Sequence, residues 1–277
     1  MSKVIVGSGE FKYEVVWPFG KALEKIKIGD VSHVSVDSKN NVYFYQRINP
    51  PIVVFNNKGN LVDHWGENLL VDAHGIFITQ KDDVFVIARG LHEVLKFNTK
   101  GELLLRIGER ENPSWQRPFN HPTDVAISKN GDIYVSDGYG NACVHKFSST
   151  GKHIITWGKP GSGQGEFHTP HGIWVDEHDQ VYVVDRDNNR IQIFTSDGEY
   201  IEEWRDFFHP MDIFFDSNVI YVTDQTPRLT VLDTEGKIVA RGFSPNAGHG
   251  IWGDSFGNLY LAGHNRGVVK LLKKIVF

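Results

Sequence analysis

The chain has 277 residues, 40% of them hydrophobic, and a formal net charge of −5 with no basic cluster. That length supports a large core, and the charge gives no reason to expect a nucleic-acid partner. The single cysteine, Cys143, excludes an intrachain disulfide and fits a reducing cytoplasm, and no stretch approaches the ~18 apolar residues of a membrane span.

In chain order, the first strand-like segment is YEVVWPFG at residues 13–20, which has no repeat of its own. Six related segments follow: SHVSVD at Ser32, HGIFIT at His74, TDVAIS at Thr123, HGIWVD at His171, MDIFFD at Met211 and HGIWGD at His249. Their spacings are 42, 49, 48, 40 and 38 residues by subtraction of those positions. Each opens a unit of about four short strands rich in Val, Ile, Tyr and Phe, bounded by Asp, Asn and Gly. A period near 40–45 residues with about four strands per unit predicts an all-β, six-bladed β-propeller, with the first strand of each blade lining a central channel.

Within each unit, turns such as DSKNN, DEHDQ and DSFGN join the first two strands, where Asp and Asn side chains bond the backbone. The loops after the second strand are QRINPP, ARGLHE, DGYGNA, DRDNNR, DQTPRL and GHNRG, richer in Arg, His and Tyr than turns require. Fourth strands such as NLVDHWG and KHIITWG place Trp65, Ile107, Trp157 and Trp204 in one column, which reads as interblade packing. Residues 158–165, GKPGSGQG, lack the Gly-Lys-Ser/Thr ending of a phosphate loop and read as an interblade connection. The sixth unit lacks a fourth strand. Residues 13–17 are expected to supply it, with Trp17 in the Trp column, so that the ring closes as one domain over residues 1–277.

Histidine recurs at the first-strand position in alternate units only, as His74, His171 and His249, each followed by Gly-Ile. Alternate blades of six bring three imidazoles toward one axis, and an all-nitrogen set with an open fourth position suits Zn²⁺ best, with Fe, Co, Ni or Cu as alternatives. The competing reading is a polar plug of imidazoles and water. His121 and His209, each before a proline, read as structural.

The pattern DRDNNRIQIF resembles NHL-repeat propellers. The motifs PHGIWVD, AHGIFIT and GHGIWGD, with PTDVA and VSDGYGN, are similar to those of the peptidyl-α-hydroxyglycine α-amidating lyases. That resemblance implies a metal-dependent lyase cleaving N-acyl-α-hydroxyglycines to a primary amide and glyoxylate. It implies zinc on His74, His171 and His249, Tyr139 as catalytic base, Arg47 as a second catalytic residue and Arg186 as a substrate-binding residue. It also implies an axial calcium on the Val34 and Ile76 carbonyls and on an acidic residue after the third histidine. That residue is Gly250 here, which speaks against calcium, and the family's methionine two residues before His249 is Ala247. The expected partner is a small or peptide-derived α-hydroxyglycine, met by a cytoplasmic monomer. The alternatives are a non-enzymatic NHL interaction module and a lactonase-type propeller hydrolase, whose metal site is usually acidic.

Overall fold

The computed structural model describes residues 3–20, 26–246, 248–263 and 267–273. Its strands form six antiparallel blades in sequence order, with two single-turn 3₁₀ segments among the described residues, and the fold is a six-bladed β-propeller. The chain groups into two compact units, residues 70–211 and residues 1–69 with 212–277.

The unit of residues 70–211 holds three blades. Blade 2 runs through Ala73–Ile78, Val84–Ala88, Glu93–Phe97 and Leu103–Gly108. Blade 3 runs through Asp124–Ile127, Ile133–Asp137, Cys143–Phe147 and His153–Trp157. Blade 4 runs through Pro170–Val175, Val181–Asp185, Arg190–Phe194 and Tyr200–Trp204. The first three strands of each are buried almost throughout, which is why they read as continuous β-branched runs, while the fourth strands keep an exposed face. Blades 2 and 3 share a cluster including Ile87, Ile107, Phe119, Val135 and Phe147. Blades 3 and 4 share one including Tyr134, Val144, Phe167, Ile173 and Phe194, with Trp157 packed against it. Burying each such side chain contributes about 1.5–3 kcal/mol. After Trp157 the chain turns through Gly158 (φ 95°), where a Cβ would lie 2.5 Å from the Phe167 ring, so only glycine fits. The glycine-rich stretch that follows is an interblade strap, with Lys159–Pro160 pairing in parallel with Glu166–Phe167.

The other unit holds blade 1 (Val31–Val36, Val42–Gln46, Ile52–Phe55, Leu61–Trp65) and blade 5 (Pro210–Asp216, Val219–Asp224, Arg228–Leu232, Ile238–Phe243). It also holds blade 6, built from Gly250–Gly253, Leu259–Gly263 and Gly267–Lys273. Strand Phe11–Phe19 completes blade 6, pairing Tyr13 with Lys273 and Phe19 with Val268. A further strand, Ile5–Ser8, extends the same sheet. The closing strand therefore forms as expected, but Trp17 does not join the Trp column. The pairing shifts register between Val16 and Phe19, and Trp17 is 60% exposed while Trp65 and Trp204 are buried. The turns work as their composition suggests: Asp37 Oδ1 accepts from the backbone N–H of Lys39 and Asn41 at 2.9 and 2.8 Å.

Candidate active site

His74 and His171 open the first strands of blades 2 and 4 and are 1% and 2% exposed. The chain enters each strand through a left-handed residue, Asp72 (φ 53°) and Thr169 (φ 61°). His121 (φ 59°) and His209 (φ 45°) hold that same repeat position. Each bonds a neighbouring side chain: His121 Nδ1 meets Asn120 Oδ1 at 2.9 Å and His209 Nδ1 meets Asp187 Oδ1 at 3.1 Å. After His74, a Cβ on Gly75 would lie 2.4 Å from Asp124 Oδ1, so the glycine is a packing requirement.

His74 Nδ1 lies 2.5 Å from the Thr123 carbonyl, and His171 Nδ1 lies 2.8 Å from the Met211 carbonyl. A carbonyl only accepts, so each Nδ1 carries the hydrogen and each Nε2 presents its lone pair. In the other unit, His249 is 2% exposed and its Nδ1 is 2.8 Å from the Ser32 carbonyl. Thr123, Met211 and Ser32 are the residues at the histidine position of the non-histidine repeats. One rule thus fixes all three tautomers. An imidazole held through Nδ1–H to a carbonyl is oriented as a metal ligand through Nε2, and this neutral nitrogen set fits Zn²⁺.

Tyr139 is carried by the loop after the second strand of blade 3. Gly138 makes its position possible: a Cβ there would lie 1.9 Å from the Pro170 carbonyl, so only glycine lets this loop lie against blade 4. Buried Asp137 anchors the loop by accepting from the Asn120 backbone N–H (3.0 Å) and Asn141 Nδ2 (2.7 Å), and it lies 3.2 Å from His145 Nε2. Cys143 lies beside His145, and burial pushes its thiol pKa well up. Tyr139 Oη is 3.2 Å from His74 Nε2 and 3.1 Å from His171 Nε2. It accepts from Arg186 Nη1 at 3.3 Å.

Arg186 and Arg190, both in DRDNNR, do different work. Arg190 is 1% exposed and bonds Asp185 (2.8 Å), Glu203 (2.7 Å) and the Gly163 and Glu166 carbonyls, so it is structural. Arg186 bonds Asp187 and lies over the Tyr139 ring, 5.5 Å from its centroid. Burial alone would lower its pKa, but Asp187 and Tyr139 outweigh burial and raise it. Sequence reasoning did not single out Arg89, whose guanidinium carbon is 5.0 Å from the centroid of the same ring. The available signal was its repeat position, which matches that of Arg186. Arg47 holds that position in blade 1, within the other unit, where Nη1 is 3.5 Å from Asp30 Oδ2.

Val34, whose carbonyl the resemblance makes one ligand of an axial calcium, lies beside an imidazole within the unit of residues 1–69 and 212–277. The Val34 carbonyl is 3.1 Å from His33 Nδ1, and His33 Nε2 is 2.8 Å from buried Asp212. A Cβ on Gly250 would lie 2.7 Å from the His33 ring, so the ring takes the space an acidic side chain would need. Ala247 and residues 264–266 of the sixth loop lie outside the described residues.

A family model described as a 6-bladed beta-propeller matches residues 117–240. The chain is 30% identical over 223 residues to the Drosophila melanogaster peptidyl-alpha-hydroxyglycine alpha-amidating lyase 1, covering 67% of this chain and 40% of that protein. It is 31% identical over 225 residues to the human NHL repeat-containing protein 3, covering 72% of this chain and 64% of that protein. The chain belongs to the amidating-lyase-like, NHL-repeat β-propeller family. It spans less than two thirds of the length of either relative. Among solved structures, a gluconolactonase from Xanthomonas campestris superposes with a TM-score of 0.72 at 13% identity, covering 95% of this chain and 90% of that one, which shows the shared fold alone. Among the described residues, no helix is long and apolar enough to cross a membrane.

Proposed function

We propose that this member of the family is a lyase that splits N-acyl-α-hydroxyglycine-type substrates into a primary amide and glyoxylate. The observation that carries the reading is the position of Tyr139 Oη, 3.2 and 3.1 Å from the Nε2 atoms of His74 and His171 with Arg186 Nη1 at 3.3 Å. His74, His171 and His249 would hold one Zn²⁺ through Nε2. When bound, the ion supplies Lewis-acid stabilisation of negative charge developing on the substrate oxygen. Tyr139 Oη is the base that takes the proton of the α-hydroxyl. The O–H electrons become the carbonyl bond of glyoxylate, the C–N bond breaks, and the amide nitrogen gains a proton. Arg186 Nη1 holds the carboxylate beside Tyr139, with Arg47 as the second candidate for that clamp.

The test is release of glyoxylate from synthetic N-acetyl-α-hydroxyglycine by zinc-loaded protein, with ureidoglycolate in parallel. Release above the buffer rate supports the reading. Release at the buffer rate with zinc bound overturns it and favours the alternative of a non-enzymatic NHL-repeat module.

A further inference from the structure

Arg89 and Arg186 are built alike. Each opens a 3₁₀ turn after the second strand of its blade, Arg89–Leu91 and Arg186–Asn188, and each turn ends on a left-handed residue, His92 and Asn189. Each guanidinium is anchored through Nε and Nη2 to one carboxylate. Arg89 meets Asp72 at 2.8 and 2.7 Å, and Arg186 meets Asp187 at 3.0 and 3.3 Å. Anchoring on that edge fixes the plane of each group and leaves Nη1 outside the carboxylate pair, where that of Arg186 donates to Tyr139 Oη at 3.3 Å. The two guanidinium carbons lie 5.0 and 5.5 Å from the centroid of the same Tyr139 ring, so they are no more than about 10.5 Å apart. The side chain of Arg89 is 23% exposed and that of Arg186 is 16% exposed, so both are partly desolvated yet reachable.

One clamped carboxylate needs one such guanidinium. A second, pre-oriented guanidinium on the same phenol ring is a site for a second anionic group. We propose that Arg89 is a specificity-determining residue: it binds an anionic group on the acyl side, and the preferred substrate is a small α-hydroxyglycine carrying carboxylates at both ends. This rests on the reading of Tyr139 and Arg186 as the substrate site.

The test uses the intact protein and two uncleavable ligands that lack the hydroxyl, N-succinylglycine and N-acetylglycine, measured by titration calorimetry. The succinyl compound is expected to bind about tenfold tighter, which corresponds to about 1.4 kcal/mol. In Arg89→Gln the preference should fall to within about twofold, a residue of about 0.4 kcal/mol, with Arg89→Lys keeping an intermediate preference. Equal affinities in the parent protein, no binding of either ligand at millimolar concentration, or a preference that survives Arg89→Gln would each overturn the proposal. The parent comparison stands even where a variant fails to fold. Turnover separates this proposal from the lyase reading. Arg89-dependent binding without glyoxylate release from N-succinyl-α-hydroxyglycine overturns the lyase reading alone. Release from the acetyl substrate with no Arg89-dependent preference overturns the role of Arg89 alone.

Discussion

Tyr139 Oη lies 3.1 Å from His171 Nε2, and the opposite nitrogen of that ring is 2.8 Å from the Met211 carbonyl. The phenol comes from a blade 3 loop and the imidazole from the first strand of blade 4. Gly138 brings them together by allowing the loop to approach the Pro170 carbonyl. The pair is therefore a product of interblade packing.

Replacing any one of His74, His171 or His249 by Ala should reduce zinc content well below one per chain, measured by elemental analysis after dialysis. His121→Ala and His209→Ala should retain it, because those imidazoles bond Asn120 and Asp187. Retention of a full complement by His171→Ala would remove it from the ligand set.

Arg190→Ala should be costly without touching the substrate site. It leaves Asp185, fully buried and bonded to Arg190 at 2.8 Å, without its cation. Loss of one partner of a buried pair costs about 3–5 kcal/mol. Urea unfolding should show that loss, and a change under about 1 kcal/mol would contradict the structural role assigned here.

Asp187 provides a pH test of the arginine anchor. Burial alone would raise its pKa, but the Arg186 guanidinium and the Thr169 hydroxyl outweigh burial and hold it down to about 2. An unfolded aspartate titrates near 3.9. The folded value is the lower one, so the stability this group contributes is fully present above about pH 4 and is lost as pH falls through about 2. Carboxyl ¹³C NMR should place the midpoint near 2, and Arg186→Leu should move it up toward 3.9. A midpoint unmoved by Arg186→Leu would show that the pair does not govern Asp187.

Much of the site was legible in sequence because the fold is repetitive. The six first-strand segments align by eye, and that column yields His74, His171 and His249, each with Nδ1 against a backbone carbonyl. Tyr139 and Arg186 were legible from the motifs around them. Arg89 was missed because its loop, ARGLHE, shares only the arginine with DRDNNR, while the backbone of the two turns is the same. Its anchor, Asp72, precedes the first strand and is brought to the loop by the hairpin, a contact that no local pattern encodes. Trp17 was misplaced for a different reason. A register shift in the closing strand turns alternate side chains to the other face, and hydrophobic pattern does not report where such a shift falls.

The measurement that bears most directly on the account follows N-acetyl-α-hydroxyglycine by proton NMR with the parent protein and Tyr139→Phe, each shown to carry one zinc per chain. The account predicts acetamide and glyoxylate in equal amounts from the parent, and a rate roughly 10²–10⁴-fold lower from Tyr139→Phe at the same zinc content. A Tyr139→Phe variant that produces both at the parent rate would contradict the role of Tyr139 as the base, and a parent protein that produces neither would contradict the lyase itself.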